Sequence, residues 1–275
     1  MTVRDFAVAQ LDESGVVRER RIGSARHIVC PLGDQVDLVL VEIPVGQFTM
    51  GGPPGELGQR RNEEPVRDVR INPFFMGIHT VTQAQWSAVM GSLPALDDAF
   101  RGPSLPVVNA SWPDVLTFCQ RVTAMTGLTV RLPSEAEWEY ACRAGTNSPF
   151  HWGPTITAEV ANFNSERPYG SAPTHHSARN LTPVGSFGLT NAFGLYDMHG
   201  NVWEWCADAW HDDYCGAPTD GKPWLGVGDE GYRVQRGGSW CDIPQICRSA
   251  FRVGDIAFNW DHIVGVRVCA TPGSD

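Results

Sequence analysis

The sequence predicts an α+β fold that is rich in loops, with short strands and about three helices. Alternating apolar residues, typical of strands, fill the chain up to about residue 80. Three helical patterns with their own start signals follow, and regular periodicity nearly vanishes after Pro149. The 29 glycines and 20 prolines favour loops, and the 10 tryptophans can fill a core that has little regular structure.

The predicted strands all lie near the N-terminus. Residues 4–30 alternate on either side of the segment LDESG, which predicts a β-hairpin. Further strands are predicted, in chain order, over Val36–Pro44, Gly46–Gly52, Val66–Ile71 and Phe74–Ile78. We interpret residues 1–30 as an N-terminal hairpin appendage and residues 31–275 as a single domain, because no linker or repeat interrupts them.

Each predicted helix begins at a residue that can cap it. Thr82 starts the first helix. Ser111 caps the second, which Gly127 ends. Ser134 starts the third through a capping box with Glu137, in which each side chain bonds the other residue's free amide. The helical residues expected to face the core are Trp86, Val115, Phe118, Cys119, Val122, Trp138, Tyr140 and Ala141.

Charge and hydropathy exclude several classes of function. The net charge is -10 and the isoelectric point is about 5.2, so there is no electrostatic basis for binding nucleic acid or an anionic membrane. The chain contains no run of about 18 apolar residues, so no membrane span is expected. The N-terminus lacks the apolar stretch of a secretory signal, and we therefore expect a cytoplasmic protein.

Turn-and-aromatic segments from about Val36 to Cys269 are the most specific feature of the sequence. They include IPVGQFTMGG, FFMGIHTVTQAQW, LPVVNASWPD, RLPSEAEWEYACRAG, NAFGLYDMHGNVWEW, RGGSW and GVRV. These segments resemble the formylglycine-generating enzyme family, also called sulfatase-modifying factors. The resemblance implies a compact C-type-lectin-like fold, here expected to be monomeric. The same fold serves two functions, which are copper-dependent oxidation of a cysteine and ligand display.

The resemblance also implies a structural calcium ion at the segment GNVWEW. The ligands would be the side chains of Asn201 and Glu204 and the backbones of Val202 and Cys206. This donor set is chemically reasonable, because a hard cation prefers neutral and anionic oxygens on a folded loop. The alternative is that Asn201 and Glu204 only hydrogen-bond to backbone amides.

Two cysteines would carry the enzymatic chemistry of the family by binding copper(I). The second family position, eight residues after the serine of GGS, is Cys247, whereas the first, three residues after that serine, is Asp242. Cys241 lies one residue too early, and in an extended segment this shift points the side chain to the other face. The carboxylate of Asp242 is a poor ligand for copper(I), which argues against the enzymatic function. A copper enzyme that uses Cys241 and Cys247 is therefore the alternative and not the preferred function.

The residues between the family motifs near the C-terminus favour ligand binding. They mix apolar, acidic and small side chains, and this pattern resembles the variable region of proteins diversified by retroelements. Clustered apolar residues with a few polar ones are typical of a binding surface for a protein or a small molecule, although they could also pack as core. The candidate ligand-binding residues are Trp240, Cys241, Asp242, Ile243, Ile246, Val253, Gly254, Asp255, Ile256, Phe258, Trp260, Asp261, His262, Ile263 and Val264.

Overall fold

The computed structural model describes residues 1–225 and 228–271, in which short strands and helices alternate with long loops. The strands are β1 Thr2–Leu11, β2 Val17–Gly33, β3 Val36–Ile43, β4 Gly46–Met50, β5 Arg67–Ile71, β6 Phe74–Gly77, β7 Thr129–Arg131, β8 Trp203–Trp210, β9 Asp229–Arg236, β10 Arg252–Ile256, β11 Val264–Gly265 and β12 Cys269–Thr271. The α-helices are α1 Gln83–Met90, α2 Trp112–Thr126 and α3 Glu135–Arg143, and short 3-10 helices span Arg61–Glu63 and Asp98–Phe100.

The strands form three sheets. The largest has the order β1-β2-β3-β6-β12-β7, the second has the order β10-β9-β8-β11, and β4 pairs with β5. The N-terminal hairpin is part of the largest sheet, because β2 continues along β3 from His27 opposite Val41 to Gly33 opposite Val36. The boundary that we placed at residue 30 therefore falls within β2, and the division into appendage and domain remains an interpretation.

The helix starts agree with the sequence predictions. The side chains of Thr82, Ser111 and Ser134 each accept a hydrogen bond from the backbone three residues later, and all three form capping boxes. Gly127 ends α2 in a left-handed conformation with φ of 72°, which glycine adopts without strain. No helix within the described residues is both long enough and apolar enough to cross a membrane.

The two largest clusters of buried apolar residues lie between these elements. One packs α1 and α2 against the large sheet and includes the stacked rings of Trp86 and Phe118, whose centroids are 5.1 Å apart. The other surrounds α3, of which every residue is buried. Helix α3 thus occupies the centre of the molecule, which explains why its polar residues need partners inside the protein.

The strands after α2 were not predicted. In β8, six of the first seven residues are buried, so both faces of the strand are covered. Its sequence therefore lacks the alternation of apolar and polar residues by which half-buried strands are recognised. Strands β7, β11 and β12 have only two or three residues each, which is too short for a periodic pattern. The loop-rich second half therefore contains more pairing than its sequence indicates.

Candidate functional site

The predicted ligand-binding residues differ widely in exposure. Phe258, Trp260 and Ile256 are 76%, 63% and 46% exposed, and Cys241 and His262 are exposed as well. The partly buried residues are Trp240, Asp242, Ile243, Ile246, Val253, Gly254, Asp255, Asp261 and Ile263. The prediction is wrong for Val264, which is 3% exposed because β11 pairs with β8 and places this side chain in the α1/α2 core.

A cavity of about 530 Å³ lies beside the exposed segment, and we call it the aromatic cavity. Its lining combines the predicted residues Trp260, Asp261 and His262 with Ala95, Leu96, Asp97, Phe100 and Asn109 from the connection between α1 and α2. The ring of His262 lies 5.0 Å from that of Phe100 and 6.0 Å from that of Trp240, measured between centroids. Aromatic rings from both segments therefore lie close together at this cavity.

Backbone hydrogen bonds fix the two walls of the aromatic cavity to each other. The amide of Asn109 donates to the carbonyl of Asp261 at 3.1 Å, and the amide of Trp112 donates to the carbonyl of Ala257 at 3.0 Å. Asn109 has a left-handed φ of 60°, and its Oδ1 is buried without a donor within the described residues. The backbone conformation of this segment is thus held by hydrogen bonds that do not involve the exposed side chains.

The aromatic cavity is acidic. Asp97 is exposed, and Asp261 contacts the ring nitrogen Nδ1 of His262 at 2.9 Å. Asp98, next to the cavity, is compensated by Arg101 at 3.4 Å. The lining includes no lysine or arginine. A ligand with a positive charge therefore fits this opening better than an anion.

A smaller cavity of about 410 Å³ is bordered by Trp240, Cys241, Asn164, Glu166, Ser177 and Arg179. The turn that carries Cys241 is fixed by Asp242, whose Oδ2 accepts from the amide and the hydroxyl of Ser239 at 3.0 and 2.5 Å. Burial raises the pKa of Asp242 above its ordinary value. In the family position of the first catalytic cysteine, this chain therefore has a carboxyl group that closes a turn.

The two cysteines proposed for the alternative function lie in different surroundings. Cys241 is exposed, whereas Cys247 is completely buried in a cluster with Phe150 and Trp152, and both are free thiols. A Cβ atom on Gly238 would lie only 2.6 Å from Sγ of Cys247, so the thiol is closely covered. Burial raises the pKa of both cysteines, that of Cys247 strongly. Copper(I) prefers thiolates, and this pair does not fit that requirement.

The calcium candidates are committed to bonds within the protein. The Glu204 carboxylate accepts from Nε1 of Trp138 at 2.6 Å and from Nη2 of Arg267 at 2.8 Å. Oδ1 of Asn201 accepts from the amide of Thr182 at 3.1 Å, and the carbonyl of Cys206 accepts from Nε1 of Trp112 at 2.9 Å. Val202 is buried beside them. The described geometry does not fit a calcium ion, because the only carboxylate is already neutralised by an arginine.

Val253 and Gly254 belong to a different surface from the aromatic cavity. They border a separate cavity together with Trp210 and Tyr232. A Cβ atom on Gly254 would lie 2.6 Å from the ring of Trp210, so this position requires glycine and cannot vary freely. The predicted patch is thus divided among three cavities.

Sequence reasoning missed the wall formed by Asp97, Phe100 and Asn109. Asn109 lies within the family segment LPVVNASWPD, which could have indicated a role. Asp97 and Phe100 lie in an irregular stretch whose position opposite residues 260–262 follows only from the fold.

We expect chelation with EDTA to leave the melting temperature unchanged, because Glu204 is paired with Arg267 instead of a cation. Glu204→Ala should still destabilise the protein by roughly 3–5 kcal/mol, because it leaves a buried guanidinium without its partner. Urea unfolding measures the second effect. A melting temperature that falls on chelation and recovers with added calcium would instead support the family's calcium site.

Comparison with known proteins agrees with the fold and with the motifs. Residues 35–272 match the sulfatase-modifying factor enzyme 1-like domain. The formylglycine-generating enzyme of Thermomonospora curvata is 27% identical, over 86% of this chain and 89% of that protein. The inactive C-alpha-formylglycine-generating enzyme 2 of Mus musculus is 30% identical, over 89% of this chain and 90% of that protein.

Solved structures give the same result. PvdO from Pseudomonas aeruginosa is 32% identical with a TM-score of 0.74, and the match covers 88% of this chain and 97% of PvdO. Variable protein 1 of Treponema denticola also has a TM-score of 0.74, with 23% identity over 89% of this chain and 98% of that one, and it shares the fold. With most of its length matched, this chain belongs to the sulfatase-modifying factor enzyme 1-like family, which includes the formylglycine-generating enzymes.

Proposed function

We propose that this protein binds a ligand at the aromatic cavity and at the exposed residues beside it. The observation that carries the proposal is the set of large apolar side chains near the C-terminus that project into solvent, Ile256, Phe258 and Trp260, of which Trp260 lines this cavity. Exposed apolar clusters of this kind mark binding sites, and aromatic anchors usually contribute most of the affinity. We expect a protein ligand or a small molecule that carries a positive charge.

The surroundings support a display role for this surface. The walls are joined through backbone amides and carbonyls, so the side chains can change while the loop stays in place. Variation by a retroelement would act on such positions, and a reverse transcriptase gene beside this one would support that part of the proposal. We also propose a cytoplasmic location, in which the eight cysteines would remain free thiols.

The alternative function is copper-dependent conversion of a substrate cysteine to formylglycine. It is favoured by the similarity to formylglycine-generating enzymes and by Cys247 at the family's second cysteine position. Against it stand the carboxyl group of Asp242 at the first position and the burial of Cys247. We therefore prefer ligand binding.

The display proposal predicts that the exposed residues tolerate polar substitution. Ile256→Asn and His262→Asn should change the free energy of unfolding by no more than about 0.5 kcal/mol, as is usual for surface positions. Val264 lies close to the cavity-lining residues in the chain but is inside the core. Val264→Asn should therefore lower the free energy of unfolding by at least about 2 kcal/mol, because it buries an amide without a partner. Urea unfolding of the three variants checks this. If all three variants lose a similar, large part of the free energy of unfolding, the whole segment belongs to the core and the display proposal is wrong.

Binding is tested directly by selecting peptides from a random library on the immobilised protein. Selected peptides should lose at least about tenfold in affinity for Trp260→Ala, because a central aromatic anchor contributes about 1–3 kcal/mol. The matched control is Ile22→Ala, which removes an apolar side chain of similar exposure (70%, against 63% for Trp260) from β2. If no selected peptide distinguishes Trp260→Ala from this control, the proposed binding surface is wrong.

We expect no formylglycine-forming activity. The protein, loaded with copper(I), would be incubated with oxygen and a cysteine-containing sulfatase peptide, and aldehyde formation would be followed by mass spectrometry. Stoichiometric aldehyde that disappears in Cys247→Ser would overturn this expectation and favour the enzymatic alternative.

A further inference from the structure

A second open depression, which we call the trough, shares no lining residue with the aromatic cavity. It consists of an inner cavity of about 730 Å³ and an outer cavity of about 750 Å³. Asp212, Asp213 and Cys215 border both cavities, so the two adjoin, and we take them together as one channel. The channel lies between the segment that precedes β5 and the segment that follows β8.

The inner part of the trough is aromatic and rigid. His211 stacks on Trp224 with ring centroids 3.5 Å apart and an angle of 2° between the planes. The ring of Trp210 packs against Gly254 and lies 4.4 Å from the guanidinium of Arg252. That guanidinium is completely buried and is held by the carboxylate of Glu135, so Trp210 cannot easily move. The aromatic surfaces are therefore in place before any ligand arrives.

The outer part of the trough is apolar, and its edges are charged. Pro54, Pro65 and Val66 line it. Asp212 and Asp213 are exposed at the junction of the two cavities, and neither forms an ion pair within the described residues. Carboxylates without a cationic partner at the middle of a channel favour a ligand with a basic group at that point.

Potential donors to a peptide backbone also line the trough. The guanidinium groups of Arg60 and Arg61 lie on the segment before β5, and Arg60 contacts the ring of Phe251 at 4.5 Å. Tyr232, which is 36% exposed, adds a hydroxyl group. A ligand rich in unpaired carbonyl oxygens would satisfy these donors.

We propose that the trough binds an extended, proline-rich segment of another protein, with a basic residue beside Asp212 and Asp213. A polyproline helix forms no internal hydrogen bonds, so its carbonyls are free to accept from Arg60, Arg61 and Tyr232. Its pyrrolidine rings can pack on the aromatic floor, as in other grooves that recognise proline-rich peptides. A small molecule would leave half of the channel empty, and the carboxylates disfavour a nucleic acid.

The proposal is tested with an array of peptides that contain the pattern PxxP and one arginine at either end. Peptides that bind are synthesised with a fluorescein label, together with versions in which alanine replaces every proline or glutamine replaces the arginine. Fluorescence anisotropy then gives their affinities for the full-length protein. We expect the peptides with alanine in place of proline to bind at least about tenfold more weakly, because the packing on the aromatic rings is lost. The peptides with glutamine in place of arginine should bind about threefold more weakly, because the positive charge is lost.

Protein variants locate the site. Tyr232→Ala should weaken binding by at least about fivefold and Asp213→Asn by about threefold, because they remove a contact and a charge at the channel. Glu13→Gln is the matched control for the charge change, since Glu13 is exposed on the turn between β1 and β2. Trp260→Ala should not affect these peptides, because Trp260 lies outside the trough.

Several results would overturn the proposal. They are an array without any binder, equal affinity for the proline and alanine peptides, or binding that is insensitive to both Tyr232→Ala and Asp213→Asn. Loss of binding in Trp260→Ala alone would place the peptides at the aromatic cavity instead. The outcome is therefore independent of whether the aromatic cavity binds its own ligand.

Discussion

Buried arginines that pair with carboxylates and also donate to loop carbonyls hold this fold together. The pairs are Arg143 and Arg236 with Glu139, Arg248 with Glu63, Arg252 with Glu135, and Arg267 with Glu204. Arg267 shows the principle, since it also donates to the carbonyls of Gly77, Ile78 and Tyr196 and so joins a strand end to a loop. A chain with long buried loops contains carbonyls that have no ladder partner, and each must be satisfied in another way. The guanidinium group, with five donors in a fixed plane, can do so for several carbonyls at once.

The carboxylates of these pairs explain how one short helix organises the molecule. Glu135 and Glu139 lie on consecutive turns of α3 and reach Arg252 and Arg236, which belong to the sheet of β8, β9 and β10. Because α3 is buried on all sides, its polar residues are stable only with these partners. The same pairs position the loop of Ala250 through Arg236 and the ring of Trp210 through Arg252, and Trp210 lines the trough.

Local signals in the sequence predicted the helices well and the later strands poorly. Thr82, Ser111 and Ser134 cap their helices as expected, because capping depends only on residues within one turn. Strand β8 could not be recognised from periodicity, since its residues are buried on both faces. For the site, the predicted residues Trp260, Asp261 and His262 do line a cavity. The other wall of this cavity, and the position of Gly254 at a different cavity, depend on long-range contacts that no local pattern encodes.

The structure also separates the residues that hold the fold from those that could bind. Ile256, Phe258 and Trp260 have exposed side chains, and none of them contributes to the buried ion pairs. Substitutions at surface positions away from such features usually change the free energy of unfolding by no more than about 0.5 kcal/mol, so changes at this surface need not weaken the scaffold. Gly254 and Val264 lie close to these positions in the chain but touch Trp210 and the core. The contacts of each side chain, and not its position in the sequence, therefore decide which residues near the C-terminus are free to serve a ligand.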